Sequence, residues 1–234
     1  MQALFSKSKV IENKKLNDKF HLVTLESSTP NFSFIPGQYV TMKIPPSLFR
    51  CYSIFSTPGF LPSWEIFVDI APGGPGTTYI RNLKKGDIVE TIKPTGFFTC
   101  QKDRHTNFIF AATGCGLAPY KSMIECLLDS PSNPNIVFLW GLRSEKDVVL
   151  RNIFDDWTKK YPNFRYEIVL SRPTKKWIGK QGHVNVFIVD ETRKFPETET
   201  SVYLSGNSDF VEQNFAELKK IGFPKDSIHS ESYC

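Results

Sequence analysis

Short apolar runs separated by Pro and Gly dominate the first hundred residues of the chain. Six runs are rich in β-branched and aromatic residues, and they cover residues 5–11, 20–25, 39–44, 50–55, 64–70 and 87–93. Short runs between turn residues predict an all-β region. Six short antiparallel strands are best closed into a small barrel, because closure removes exposed sheet edges.

From residue 107 onward the pattern changes to strands that alternate with helices. Compact apolar or extended runs predict five strands, at residues 108–112, 136–140, 166–170, 202–204 and 228–231. Helical periodicity lies between and beside them, at residues 119–128, 150–160, 184–192 and 209–221. Alternating βα units predict a five-stranded parallel sheet, and ligands bind beyond the carboxyl ends of such strands.

The two patterns predict two domains with a short connection. Residues 1–102 are expected to form the six-stranded antiparallel barrel, and residues 103–234 the α/β domain with its parallel sheet. A total of 234 residues is enough for two small domains. The sequence shows neither an internal repeat nor a low-complexity linker between them.

Composition and charge narrow the class of protein further. The chain is 40% hydrophobic and 23% charged, which is typical of a globular protein and argues against disorder. It has no apolar run of about 20 residues and no signal-peptide core, so we expect a cytoplasmic protein without a membrane segment. The net charge of +5 is not gathered into basic runs, so nucleic acid is not an expected partner.

The cysteines are too far apart for a local metal site. They stand at least eleven positions from one another, at Cys51, Cys100, Cys115, Cys126 and Cys234. This spacing excludes C-x-x-C pairs and local zinc or iron–sulfur motifs, and it indicates reduced thiols. The four histidines are also distant in sequence, so no metal is expected.

One strand of the first part carries a cation beside an aromatic ring. Strand alternation places Arg50 and Tyr52 on the same face. An Arg grips a phosphate with a planar fork, and a Tyr offers a flat apolar face with a polar tip. Taken alone, the same residues also fit an edge strand with one solvated Arg.

Two glycine-containing segments offer backbone N–H groups to an anion. Gly73, Gly74 and Thr77 lie in a loop that leads into a possible short helix. Thr113, Gly114 and the residues up to Pro119 follow the first predicted parallel strand, and Pro119 is placed at the first position of the next helix. A dinucleotide pyrophosphate binds at such a turn. Each segment by itself is equally consistent with an ordinary loop or turn.

In this order the segments resemble the ferredoxin-NADP reductase superfamily over nearly the whole chain. The family's R-x-Y-S-x-x-S/T motif is matched by Arg50, Tyr52, Ser53 and Ser56, and its G-G-x-x-S/T motif by Gly73, Gly74 and Thr77. Its nucleotide loop is matched by Thr113, Gly114, Gly116, Ala118 and Pro119, with Tyr120 in place of Phe. Later landmarks of the family are matched by Gly141–Arg143, Ser171–Arg172, the segment 177–184 and Tyr203–Asn207.

The resemblance implies a role for individual residues around a flavin. It implies that Arg50 binds flavin phosphate, that Tyr52 packs on the isoalloxazine, and that Ser53 hydrogen-bonds near flavin N5. Relatives stack an aromatic residue near the carboxyl terminus on the flavin, which would be Tyr233 here. The family often has Cys where this chain has Ser205, and this departure bears on how the nicotinamide packs.

The same resemblance implies a nucleotide site in the second part. The loop from Thr113 to Pro119 would hold the NAD(P)H pyrophosphate, and Gly206 would let the nicotinamide approach. Arg143, Ser171 and Arg172 would bind the nucleotide as well, the last two at an adenosine 2′-phosphate. No acid occurs between Ser171 and Val189, which favours NADPH over NADH.

The function implied is that of a flavoprotein reductase that carries FAD, with FMN as an alternative. It would take a hydride from NADPH or NADH and pass electrons to a separate ferredoxin, flavodoxin or free flavin, because no cysteine set for a fused iron–sulfur cluster is present. The open alternatives are a regulatory or electron-delivering subunit that acts only inside a complex, and a module that only binds nucleotides.

Overall fold

The computed structural model describes residues Phe5–Tyr233, and Cys234 lies outside the described residues. The chain separates into two compact units. The first contains Met1–Gln101 and Ala118–Cys126, and the second contains Lys102–Leu117 and Leu127–Cys234. The middle of one helix, residues 118–126, therefore belongs with the first unit. The domain division at residues 102/103 stays a prediction.

The first unit is built on a six-stranded antiparallel sheet, as predicted. Its strands are β1 (Phe5–Lys15), β2 (Phe20–Ser27), β3 (Tyr39–Ile44), β4 (Leu48–Ser53), β5 (Ser63–Asp69) and β6 (Ile88–Thr95). They are ordered β4-β3-β6-β1-β2-β5, which puts β4 and β5 at the two edges. A bridge between Ile54 and Ile66 joins these edges, so the sheet closes into the expected barrel.

Alternation of buried and partly exposed residues, clearest in β3, builds the core of this barrel. In β3, Val40, Met42 and Ile44 are buried, while the residues between them are partly exposed. A period of two therefore directs one side of each strand inward. Trp64 is fully buried in the same core, and its indole Nε1 donates a hydrogen bond of 3.1 Å to Ser8 Oγ. That bond satisfies the single polar group of the ring.

The second unit is built on a parallel sheet with one strand more than the five predicted. Its strands are β7 (Asn107–Thr113), β8 (Asn135–Leu142), β9 (Phe164–Leu170), β10 (Lys180–Gln181), β11 (Thr200–Asn207) and β12 (Ile228–Tyr233). The extra strand, β10, has two polar residues that pair with the end of β9. It is too short and too polar to leave a hydrophobic pattern in the sequence.

Five α-helices accompany the two sheets in the described chain. They are α1 (Pro75–Asn82), α2 (Leu117–Leu128), α3 (Arg151–Lys160), α4 (Val184–Thr192) and α5 (Ser208–Lys220). The prediction that Pro119 opens α2 is wrong, because a short 3-10 turn at Gly114–Gly116 leads into the helix two residues earlier. Pro119 is still tolerated there, since the first N–H groups of a helix lack partners within it. No helix within Phe5–Tyr233 is long and apolar enough to cross a membrane.

The order of the parallel strands locates the crevice where a ligand binds. The sheet is ordered β10-β9-β8-β7-β11-β12, so the chain winds outward from β7 in one direction and then continues from β11 in the other. In open parallel sheets, the ligand crevice lies beyond the carboxyl ends of the strands where this direction reverses. The carboxyl ends of β7 and β11 are therefore the expected binding position in this unit.

The buried carboxylate of Asp103 contacts side chains near the amino ends of β11 and β12, away from the ligand crevice. Asp103 Oδ2 accepts hydrogen bonds from Ser201 Oγ at 2.6 Å and from Tyr203 OH at 2.8 Å. His105 N–H donates to Oδ1 at 3.0 Å, and His229 Nε2 lies 3.5 Å from Oδ2. Burial by itself raises the pKa of Asp103, but the close contact with His229 and the hydrogen bonds from Ser201 and His105 outweigh it and hold the pKa well below its usual range.

Replacing Asp103 with Asn is expected to lower the free energy of unfolding by about 1 to 3 kcal/mol at neutral pH. Because the pKa is depressed in the folded state, this stabilisation is present above the unfolded-state pKa of about 3.9 and is lost as the pH falls further. Urea unfolding at neutral pH and below pH 4 measures the difference. Asp226→Asn, at an exposed position, is the control, and equal loss in both variants at neutral pH would contradict the expectation.

Candidate functional site

Arg50 and Tyr52 lie on the same face of β4, against the first turn of α1. A Cβ atom added to Gly76 would lie 2.9 Å from Tyr52 OH and 3.0 Å from Arg50 Cγ, so a larger residue there would displace one of these side chains. The Arg50 side chain is exposed, and its Nη1 donates to the Phe49 carbonyl at 2.8 Å. A guanidinium has five N–H donors, so this one bond does not exhaust its capacity for an anion.

The loop before α1 is shaped to receive an anion at the helix amino end. Gly73 has a positive φ of 67°, which glycine adopts without strain. Gly74 caps the helix without a side chain, and a Cβ added there would meet nothing within 4 Å. Thr77 Oγ1 donates to the Gly74 carbonyl at 3.0 Å and fixes the turn. The first-turn N–H groups and the helix dipole both favour a phosphate at this end.

The phenol of Tyr52 is neutral at neutral pH, as that of a tyrosine ordinarily is, and burial favours the neutral form further. Burial raises the pKa of Tyr52 to about 12, although the Arg50 charge acts in the opposite direction. At neutral pH the side chain therefore offers an uncharged ring and an intact O–H group. A flat aromatic ligand packs favourably on such a ring.

These residues fit the phosphate and ring of FAD. The Arg50 guanidinium and the amino end of α1 can bind a phosphate, and the Tyr52 ring can pack on an aromatic ring system. Gly76 lets the helix lie close to the strand that carries both residues. The fit rests on the open space at Gly74 and on the close approach at Gly76.

The two serines of the same motif are buried. Ser53 ends β4 and is paired with Tyr39 of β3. Ser56 Oγ accepts a hydrogen bond of 3.0 Å from the Glu65 backbone N–H, so this hydroxyl also helps to close the barrel between β4 and β5. Contact of either serine with a flavin stays a prediction.

In the second unit, two glycines make the crevice between β7 and β11 possible. A Cβ atom added to Gly116 would lie 2.2 Å from the Ser205 carbonyl oxygen, and one added to Gly206 would lie 2.2 Å from Thr113 Oγ1. Both distances are far below van der Waals contact, and the first involves backbone. The predicted residues Thr113, Gly116, Ser205 and Gly206 are therefore brought together where the strand order reverses.

The turn after β7 has free space beside Gly114 and a fixed backbone. This residue has a φ of 54°, and a Cβ atom added there would meet nothing within 4 Å. The indole Nε1 of Trp140 donates to the Gly114 carbonyl at 2.9 Å and anchors the turn to β8. Gly114 thus combines a fixed backbone with room beside it, as a dinucleotide pyrophosphate requires.

The end of the last strand is linked to Ser205 by polar contacts. Strand β12 pairs with β11, which places Glu231 directly opposite Ser205. Ser205 Oγ donates to Tyr233 OH at 3.3 Å, and Tyr233 OH donates to Glu231 Oε2 at 3.1 Å. Ser205 is itself buried. The stacking of Tyr233 on a flavin stays a prediction.

A second opening of the same unit lies between the loops that follow β8 and β9. The Ser171 N–H donates to the Leu142 carbonyl at 3.0 Å, and the Arg172 N–H donates to the Arg143 carbonyl at 2.8 Å, so the two loops run side by side. They border an open cavity of about 520 Å³. Its lining residues are Ser144, Glu145, Lys146, Arg172, Thr174, Lys176 and Trp177.

The cavity contains Arg172 but differs from the predicted adenosine site in two respects. Ser171 and Arg143 are exposed beside the cavity and do not line it. Glu145 does line it, although the sequence argument for NADPH counted acids only from Ser171 to Val189. Because β8 and β9 are parallel neighbours, their following loops adjoin, and an acid just after β8 had to be counted too.

Comparison with known proteins identifies the family. The family model described as "Oxidoreductase FAD-binding domain" matches residues 7–100, and the one described as "Oxidoreductase NAD-binding domain" matches residues 110–214. The chain is 29% identical to "Ferredoxin--NADP reductase B" of Sorangium cellulosum (strain So ce56), with 86% of each chain covered. It is 30% identical to "Phenol hydroxylase P5 protein" of Acinetobacter pittii (strain PHEA-2), over 96% of this chain and 64% of that protein.

A solved structure supports the same fold over its full length. The ferredoxin NADP+ reductase from Neisseria gonorrhoeae with bound FAD and NADP superposes with a TM-score of 0.86, covers 99% of both chains, and is 17% identical. The chain belongs to the ferredoxin-NADP reductase superfamily. It is an NAD(P)H-dependent flavin oxidoreductase with FAD as its cofactor.

Proposed function

We propose that this protein takes a hydride from NADPH onto bound FAD and delivers electrons to a separate carrier protein. The observation that supports this proposal is that each unit contains a site shaped by close approaches at glycine residues. Gly76 brings α1 against Arg50 and Tyr52, and Gly116 and Gly206 shape the crevice between β7 and β11. FAD supplies the conversion from a two-electron donor to one-electron steps.

The residues of the first unit are proposed to bind and orient FAD. Arg50 would pair with a phosphate together with the amino end of α1, where Gly73, Gly74 and Thr77 form the turn. Tyr52 would pack on the ring system through its neutral face. Ser53 and Ser56 are proposed to lie beside the flavin, in keeping with the family motif.

The residues of the second unit are proposed to bind the nucleotide. Thr113, Gly114 and Gly116 would hold its pyrophosphate at the turn after β7. Gly206 is proposed to let the nicotinamide approach the strand end beside Ser205. Pro119 shapes the first turn of α2 after this loop.

The adenosine end of the nucleotide is proposed to bind in the cavity that contains Arg172. Arg172, Lys146 and Lys176 give the lining a positive charge, which suits a 2′-phosphate and favours NADPH. Beside the cavity, Arg143 would extend this positive charge, and the Ser171 hydroxyl would offer a hydrogen bond to the phosphate.

The electron acceptor is proposed to be an acidic carrier protein such as a ferredoxin or flavodoxin. Residues 1–100 carry eleven Lys and Arg against seven Asp and Glu, whereas residues 101–234 are nearly balanced. Relatives of the chain are named as a ferredoxin–NADP reductase and as a phenol hydroxylase protein. Free flavin is the alternative acceptor.

Salt dependence tests the acceptor. Reduction of a ferredoxin or flavodoxin by the FAD-loaded protein is expected to slow steeply with added salt, because the attraction between charged surfaces decays over about 8 Å at physiological ionic strength. Reduction of free flavin should change little under the same conditions. Stopped-flow rates over a salt series measure both, and equal salt sensitivity would count against a protein acceptor.

A further inference from the structure

The cavity that contains Arg172 is not purely cationic. Its charged lining consists of three bases, Lys146, Arg172 and Lys176, and one acid, Glu145. The acid comes from the loop after β8, while Arg172 and Lys176 come from the loop after β9. A carboxylate in this position lowers the positive potential that a 2′-phosphate would meet.

The Glu145 carboxylate is held in place by the opposite loop. Thr174 donates twice to Glu145 Oε1, from its backbone N–H at 2.8 Å and from its hydroxyl at 2.6 Å. These hydrogen bonds hold the pKa of Glu145 below its ordinary value. The group is ionised at neutral pH, as a glutamate ordinarily is. The negative charge is therefore a fixed part of the cavity wall.

The segment that Glu145 contacts also carries the cations. Thr174 lies between Arg172 and Lys176, and the Lys176 N–H donates to Thr174 Oγ1 at 3.3 Å. The Trp177 N–H donates to the Thr174 carbonyl at 3.1 Å, so the short segment 172–177 is tightly turned. The contact between Glu145 and Thr174 thus brings a carboxylate to the segment that presents the positive charge.

We propose that Glu145 is a specificity-determining residue that weakens the binding of a 2′-phosphorylated nucleotide relative to its unphosphorylated counterpart. This inference rests on the proposed adenosine site, in which Arg172 attracts the 2′-phosphate. Glu145 opposes that attraction by charge. The protein would then accept both NADPH and NADH, and the two residues together would set the ratio.

Glu145→Gln removes the negative charge, while the amide oxygen of the new side chain can still accept hydrogen bonds from Thr174. Adenosine 2′,5′-bisphosphate and adenosine 5′-monophosphate differ only by the 2′-phosphate, and their dissociation constants are measured by calorimetry on the FAD-loaded protein. We expect the bisphosphate to bind about three- to tenfold more tightly to the variant, and the monophosphate to bind unchanged. The KM for NADPH should fall correspondingly while kcat stays constant.

Three further variants distinguish an effect of the Glu145 charge from a general charge effect and from an error in the adenosine site. Glu197→Gln removes an exposed acid of the same unit outside the cavity and should change neither dissociation constant. Thr174→Val keeps the carboxylate but removes the hydroxyl donor, and it should not tighten the bisphosphate selectively. Arg172→Ala reports on the site itself and should weaken bisphosphate binding.

The outcomes distinguish the two proposals. If Arg172→Ala leaves bisphosphate binding unchanged, the adenosine site is wrong, and the role of Glu145 fails with it. If Arg172→Ala weakens the bisphosphate but Glu145→Gln does not tighten it selectively, only the Glu145 proposal is overturned. Selective tightening by Glu197→Gln equal to that by Glu145→Gln would also overturn it, because a charge outside the cavity would then act as strongly as the one in its lining.

Discussion

Replacing Arg50 with Ala is expected to weaken FAD binding by about ten- to hundredfold. A charge-assisted contact to phosphate contributes about 1.5 to 3 kcal/mol, and every 1.4 kcal/mol changes a dissociation constant tenfold. The fold should survive, because the Arg50 side chain is exposed and is not part of the barrel core. Fluorescence titration of flavin-free protein with FAD measures the effect.

Arg81→Ala is the matched control for this change. Arg81 lies in the last turn of α1 and is exposed, so the substitution removes the same charge at the far end of the same helix. FAD affinity should then be close to that of the unchanged protein. If Arg50→Ala retains full FAD occupancy after extensive dialysis, the assignment of the phosphate site is wrong.

Replacing Arg172 with Ala is expected to raise the KM for NADPH by about ten- to hundredfold while leaving NADH nearly unaffected. The reason is the loss of one charged contact to the 2′-phosphate, at about 1.5 to 3 kcal/mol. Steady-state kinetics with both nucleotides measures the change. A change in kcat of the same size would instead indicate a contact made only in the transition state.

Arg193→Ala is the control for the second substitution. Arg193 is exposed just after α4 and forms an ion pair with Asp190 at 3.6 Å, away from the lining of the cavity. It should alter neither KM. If Arg172→Ala affects both nucleotides equally or neither, the 2′-phosphate site lies elsewhere and NADH becomes the better assignment.

Local patterns in the sequence predicted much of the fold, because each element buries a regular face. Strand β3 was predicted at residues 39–44 and helix α4 at 184–192, and both have these bounds in the structure. The pairing of Arg50 with Tyr52 on one face also follows from alternation along a strand. The crevice at β7 and β11 was predictable in kind, since glycine turns after parallel strands are typical of nucleotide sites.

Features that depend on contacts between distant parts of the chain could not be predicted from local sequence patterns. Strand β10 exists only because two polar residues pair with the end of β9. Helix α2 begins before Pro119, because the 3-10 turn at Gly114–Gly116 precedes it directly. Glu145 enters the cavity through its contact with Thr174, 29 positions away in sequence. The position of Glu145 beside Arg172 follows from the pairing of β8 with β9, which cannot be read from the sequence around Arg172 alone.

The central claim is that this chain transfers a hydride from NAD(P)H to bound FAD. Its most direct test is an anaerobic titration of the FAD-loaded protein with NADPH and, separately, with NADH, while the visible absorbance of the flavin is followed. The account predicts that about one equivalent of NADPH bleaches the flavin without any added protein and is oxidised in equal amount. Bound FAD that stays oxidised while both nucleotides remain unchanged would contradict it.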